Sequence, residues 1–185
     1  MKVVVKFIML KGEEIYLRLF EKEDLPLRVK WINDIEINRT LGFDFPVSLS
    51  GTEVWFGGGV VDNSRKDFAI VKYENDKLIG MAGLLKIDYK NDNTEFYITI
   101  GEKEYWGLRI ADEVISLILE YVFSGLGLKK VYLHTFAFNV RARKVYERNG
   151  FVQEGIFRKH IWKNGELRDI VFYSILKSEW LKRGK

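Results

Sequence analysis

The sequence predicts one mixed α/β domain, a mainly antiparallel sheet with a strand–helix–strand crossover at its centre. Segments of strand character come in neighbouring pairs joined by short polar turns, which is the pattern of antiparallel hairpins. Residues 94–127 run as alternating strand, tight loop and long amphipathic helix, and a further strand follows at 129–136. Across 185 residues there is no repeat and no low-complexity linker, so 1–185 reads as a single domain with 1–12 as an N-terminal extension.

Residues 13–20 (EEIYLRLF) alternate and read as a strand. Asp24 as N-cap and Pro26 in the first turn open a helix with Leu27, Trp31 and Ile35 on one side. After a loop over 42–50, a second helix capped by Ser50 or Thr52 is expected to stop at the glycine run 57–59. No Lys-Ser or Lys-Thr follows that run, so it is not a P-loop. Strands at 67–73 and 77–87 flank the turn Glu74-Asn75-Asp76, and a third follows at 94–100. The helix 107–124 carries Ile110, Val114, Leu117, Ile118 and Tyr121 at helical spacing, and Gly125-Leu126-Gly127 ends it. A strand at 129–136 and a short helix at 139–149 precede a hairpin, 151–162 with 167–177, turning on Asn164-Gly165. The total is about seven strands flanked by about four helices.

Hydrophobic residues make up 47% and charged residues 30%, and no run of 18 apolar residues marks a membrane span. Lys6 breaks the opening apolar run and no small-residue cleavage site follows, so 1–12 reads as an extra strand or a tail, and the cytoplasm is the expected location. The absence of cysteine excludes disulfides and a thiol-borne acyl-enzyme. With two histidines, no metal site is expected. The net charge is +4, and the basic residues cluster at 141–148 and 158–168 rather than along a stripe, which suits a small polyanion at least as well as nucleic acid, so nucleic acid is not the expected partner.

A strand that feeds a helix through a tight loop gathers unpaired N–H groups and the positive end of the helix dipole, which is an anion site. Here that junction holds Trp106-x-x-Arg109-x-Ala111. Residues 139–151 have the form N-x-x-A-x-x-x-Y-x-x-x-G-F, and Gly155 to Trp162, the Asn-Gly turn and Arg168-Asp169 follow in order. Together these motifs resemble the GNAT acetyltransferase superfamily, nearest its ribosomal-protein N-terminal and spermidine/diamine acetyltransferase branches. The resemblance runs over 15–180 and is strongest over 95–171.

The resemblance implies a GNAT fold, acetyl-CoA as cosubstrate, and direct N-acetyl transfer to a primary amine through a ternary complex. The acceptors it implies are a protein N-terminus, a polyamine or another small amine. It assigns the pyrophosphate cradle to Trp106, Gly107, Leu108, Arg109, Ile110, Ala111 and Asp112, and the strand that pairs with pantetheine to Ile98, Thr99 and Ile100. Trp106 stands where the family has Arg or Gln, and Arg109 where it usually has Gly. Glu95 is the implied general base, since an alkylammonium of pKa ~10 must lose a proton before its nitrogen attacks. Tyr146 is the implied acid, beside a leaving thiolate whose thiol has pKa ~8.5. The plainer readings are a salt-bridge partner for Glu95 and a core tyrosine packed on Phe151 for Tyr146.

On the same short helix, Asn139, Ala142 and Arg143 fall on the cofactor side, and Asn139 equally suits a helix cap. Arg141, Lys144 and Arg148 are further partners for CoA phosphates. His134 and His160 receive no role. The acceptor falls to 31–60, where Asp34, Glu36, Asp44 and Glu53 suit a polyamine. Trp31, Phe43, Phe45 and Trp55 in the same stretch suit a peptide N-terminus or another small amine. Arg109 keeps a second class open, a CoA-binding sensor without turnover, and a homodimer is also left open.

Overall fold

A computed structural model describes residues 8–43 and 46–183; the acceptor candidates Asp44 and Phe45, and the first seven residues of the extension, lie outside them. Hairpin geometry dominates the chain. Strands β1 (Ile8–Lys11), β2 (Ile15–Leu19), β3 (Lys66–Lys72), β4 (Leu78–Asp88), β5 (Asn93–Ile100), β6 (Lys130–Phe136), β7 (Val152–Lys163) and β8 (Glu166–Leu176) form one sheet. Their order is β1-β2-β3-β4-β5-β6-β8-β7, and every pair is antiparallel except β5 with β6. Part of the 1–12 extension therefore supplies an eighth strand.

The helices are α1 (Leu25–Asn33), α2 (Ile35–Asn38), α3 (Leu49–Val60), α4 (Ile110–Glu120), α5 (Val140–Arg148) and α6 (Lys177–Arg183). Two of these, α2 and α6, go beyond the pattern read from sequence, because four and seven residues are too few to show a helical period. Ile35 accordingly projects into solvent instead of joining the α1 stripe. Asp24 precedes α1, but its carboxylate does not cap that helix; it accepts from Glu21 N at 2.9 Å in the 3-10 turn before it. It takes both Nη atoms of buried Arg18 at 2.6 and 2.8 Å, a fork whose loss from one side would cost about 3–5 kcal/mol.

The glycine run 57–59 does not end α3, which is capped by Ser48 and continues to Val60. A Cβ on Gly59 would sit 3.3 Å from Arg65 Nε, so at that position the glycine makes room for a side chain rather than a stop. The predicted helix 107–124 also starts later. Gly107 (φ +87°) and Arg109 (φ +60°) hold a loop, α4 begins at Ile110, and Tyr121–Gly125 closes it as a π-turn.

Each face of the sheet has its own core. Ile15, Leu17, Phe68, Phe96, Leu133 and Tyr173 pack with Val114, Ile115 and Ile118 of α4 and with Tyr146 of α5. On the opposite face Tyr16, Ala69, Val71 and Met81 pack with Leu25 and Trp31 of α1 and Ile37 of α2, and Trp55, Tyr97 and Trp106 lie against them. Among the described residues no helix is long and apolar enough to cross a membrane.

Candidate active site

Strands β5 and β6 are paired only at Asn93↔Lys130, Thr94↔Val131 and Glu95↔Tyr132. Beyond Glu95 they separate, while β5 stays paired with β4 as far as Ile100 and β6 with β8 as far as Phe136. The result is a V-shaped opening in the middle of the sheet. One wall is the Phe96–Ile100 stretch of β5, which carries Ile98, Thr99 and Ile100 and, on the side away from β4, pairs with no strand past Glu95 among the described residues.

At the mouth of that wall, Trp106 folds back and its Nε1 donates to Ile100 O at 2.8 Å. Among the described residues, the N–H groups of Gly107, Arg109, Ile110 and Ala111 donate to no backbone carbonyl. They lie at the N-terminus of α4, where the helix dipole adds positive potential. Arg109 occupies the left-handed region that glycine adopts freely, at a cost of roughly 1–2 kcal/mol for a side chain, and it is exposed. Arg141 completes the site from α5: its guanidinium lies 5.2 Å from the Trp106 ring centre, and its Nη2 would be 3.7 Å from a Cβ on Gly107.

Asp112 does not join this set. Its N–H donates to Arg109 O, and its carboxylate is held by Arg148 (2.5 Å) and Asn149 (2.6 Å), which keep its pKa low against the opposing effect of burial. Arg143 is likewise engaged, donating to Tyr173 Oη (3.1 Å) and Ala137 O (3.3 Å). Asn139 accepts from Ala142 N at 3.2 Å and so caps α5.

The vertex of the V carries one titratable group on each face. Tyr146 packs its ring on Phe151 and Tyr173, and Tyr173 pairs with Leu133, the first β6 residue past the last β5 contact. The Tyr146 hydroxyl has no hydrogen-bond partner among the described residues, and burial pushes its pKa up to about 12. It stays protonated through neutral and alkaline pH, a phenol with an unused donor. On the other face Glu95 is 6% exposed, and both its oxygens are taken, Oε1 by His134 Nδ1 at 2.9 Å and Oε2 by Lys86 Nζ at 2.8 Å. The hydrogen bond from His134 outweighs the effect of burial and, with Lys86, brings Glu95 down to about 2.

His134, which sequence reasoning left without a role, is thus brought to the vertex. The signal available for it was weak: a strand residue two positions from the Glu95 partner. His160 stays on the hairpin, its ring against Phe157 at 5.1 Å. Of the acids assigned to a polyamine, Asp34 and Glu36 both engage Lys103 and Glu53 engages Lys22. Lys163 of β7 bridges to the acceptor side, donating to Asn38 Oδ1 (2.6 Å) and Phe43 O (2.8 Å). Among the described residues no group of three or more His, Cys, Asp or Glu is gathered as a metal site.

A sheet that opens beside a strand edge, with N–H groups gathered at a helix start, offers a ligand an extended hydrogen-bonding edge and an anion site. The chain belongs to the acetyltransferase (GNAT) domain family, whose model matches residues 14–152. It is 32% identical to the spermidine N(1)-acetyltransferase of Vibrio cholerae serotype O1, over 94% of this chain and 99% of that protein. It is 29% identical to the putative ribosomal N-acetyltransferase YdaF of Bacillus subtilis, over 91% of this chain and 94% of that one. A crystal structure of the V. cholerae spermidine N-acetyltransferase in complex with CoA and spermine aligns with a TM-score of 0.85 and 31% identity, covering 92% of this chain and 99% of that one. The protein is an acetyl-CoA-dependent N-acetyltransferase.

Proposed function

We propose that the protein transfers the acetyl group of acetyl-CoA directly to a primary amine, with both cosubstrates bound at the β5–β6 opening. The observation that carries this reading is the separation of β5 from β6 immediately after Glu95. The unpaired edge of Ile98, Thr99 and Ile100 suits the two amides of pantetheine. The N–H groups of Gly107, Arg109, Ile110 and Ala111, with Arg141 beside them, suit the pyrophosphate. Trp106 and Leu108 shape the loop. Asn139 and Ala142 set the start of α5 so that Tyr146 reaches the vertex.

Tyr146 is proposed to donate its hydroxyl hydrogen bond to the departing thiolate. With its pKa at about 12, it works best as a donor that stabilises negative charge while keeping its own proton. Glu95, at about 2, lies roughly eight units below an alkylammonium at ~10, so accepting the proton directly is steeply uphill. We assign Glu95 instead to holding His134 by Nδ1, which leaves Nε2 on the acceptor face. Imidazole is the side chain suited to proton exchange near neutrality. The amine then arrives from the face of α1–α3, and the thiol leaves on the face of α5.

Spermidine heads the acceptors to be tried, since the V. cholerae relative is named for it. The test is thiol release from acetyl-CoA with a panel of spermidine, amino sugars, amino acids and peptides beginning with Ser or Ala. Amine-dependent release is expected. Tight acetyl-CoA binding with no release from any amine would contradict the proposal.

A further inference from the structure

Four cationic side chains are buried among the described residues: Arg18, Arg28, Lys72 and Lys163. Arg18 is forked on Asp24, Lys72 meets Glu14 at 2.7 Å, and Lys163 meets Asn38 and the Phe43 carbonyl. Arg28, on α1, is different. It is 4% exposed, its guanidinium makes no hydrogen bond to a described residue, and its Nε is fully enclosed without a partner. Its surroundings are aromatic, with Cζ 3.7 Å from the Trp55 ring centre and 5.3 Å from that of Phe43.

Among the described residues, the charges facing Arg28 do not neutralise it. Arg65, 4.3 Å from the Trp55 ring, is forked on Asp67 at 2.7 and 3.2 Å, and the Tyr97 hydroxyl also donates to Asp67. Arg28, Arg65 and Asp67 therefore sum to one positive charge, and the Lys163 ammonium stands at the Phe43 carbonyl. Burial lowers the Arg28 pKa to about 10, which leaves it charged at neutral pH. Aromatic faces offset only part of the cost of removing a guanidinium from water, and the rest calls for oxygen acceptors.

Arg28 also sits in the acceptor region. Tyr97 is on β5, two residues beyond Glu95 on the same face, and directly precedes the free edge at Ile98. Trp55, Tyr97 and Trp106 pack on one cluster. A bound monoanion would close the charge balance, and a carboxylate matches the planar fork of a guanidinium. A polyamine would instead bring a second positive charge to Arg28, while Asp34, Glu36 and Glu53 are already engaged by lysines.

We propose that Arg28 determines acceptor choice by binding a carboxylate, so that the preferred acceptor is a primary amine that also carries a carboxylate, as an amino acid does. This rests on the reading of the chain as an amine acetyltransferase. Trp55 and Phe43 flank the ion pair and exclude water from it.

The test uses acceptors that differ only by a carboxylate, lysine against cadaverine, ornithine against putrescine and β-alanine against ethylamine, with spermidine alongside. kcat/KM is measured from thiol release. The carboxylated member of each pair is expected to lead by about 10²-fold, and Arg28→Met to bring the ratio close to one. The melting temperature of Arg28→Met is expected not to fall, since the change removes an unpaired buried charge. Equal rates within each pair, a lead for spermidine and the diamines, or a ratio that survives Arg28→Met would each overturn the proposal. If Arg28→Met does not fold, the wild-type ratios decide, and Arg28→Lys, which keeps the charge but loses the fork, is expected to lower them. No thiol release with any amine, despite acetyl-CoA binding, would overturn the amine-transfer reading itself and the Arg28 assignment with it.

Discussion

The two sides of the opened sheet are made of different material. On the proposed cofactor side most of the groups are backbone amides, the edge of Phe96–Ile100 and the N–H groups at the start of α4, with the Arg141 and Tyr146 side chains beside them. On the proposed acceptor side they are side chains drawn from distant segments: Arg28 from α1, Trp55 from α3, Tyr97 from β5, His134 from β6 and Lys163 from β7. A backbone site tolerates varied side chains and keeps one ligand, whereas a side-chain site changes its ligand with each substitution. One half of this enzyme is therefore expected to be generic and the other specific.

The sharpest challenge to that division is Tyr146→Phe. Loss of the hydroxyl should lower kcat by roughly 10–10³-fold and leave acetyl-CoA affinity nearly intact, measured by steady-state kinetics beside calorimetric binding. Unchanged turnover would return Tyr146 to the core as a packing residue.

Next in size is the Glu95–His134 pair. His134→Gln should lower kcat about 10–10²-fold at neutral pH, and by much less near pH 10, where the amine is largely free base. A loss equal at both pH values would remove His134 from proton transfer. Glu95 has a second, acid-side signature. Its pKa falls from 4.5 to about 2 on folding, so its stabilisation is full above 4.5 and disappears as pH drops through about 2. That contribution is on the order of 3 kcal/mol, and Glu95→Gln should flatten the stability–pH curve between those limits.

A smaller effect isolates the cofactor side. Gly107→Ala forces a side chain into a positive-φ position and should raise the KM for acetyl-CoA about tenfold, with the amine KM held. If both constants rise together, the two halves are coupled. The smallest change is expected from Arg109→Gly. It relieves the left-handed residue but adds the backbone freedom of a glycine, roughly 0.5–1 kcal/mol in the opposite sense, so stability should move by no more than about 1 kcal/mol, and loss of the exposed charge should weaken acetyl-CoA affinity by roughly two- to fivefold.

The same contrast decides what could be read from sequence. The crossover at 94–136, the helix over Ile110–Ile118 and the Asn164–Gly165 turn (φ +51° and +80°) announce themselves through periodicity and turn chemistry. The proposed cradle is legible for the same reason, because a strand-to-helix junction makes an anion site whatever its side chains. At its edge the structure differs: Asp112 lies one residue further along α4, where its N–H already bonds to Arg109 O. The Gly57–Gly59 run misled because three glycines in a row suggest a stop, yet α3 keeps its helix through them and makes room for Arg65. Arg28 was illegible. One arginine in an amphipathic helix looks like a solvent-facing cation until the aromatic rings of α3 and the loop before it close over the guanidinium.

The most direct measurement is an initial-velocity study with acetyl-CoA and the best amine of the panel varied against each other. Direct transfer at the β5–β6 opening predicts intersecting double-reciprocal lines, with thiol released only when amine is present. Parallel lines, or thiol release that does not depend on amine, would contradict it.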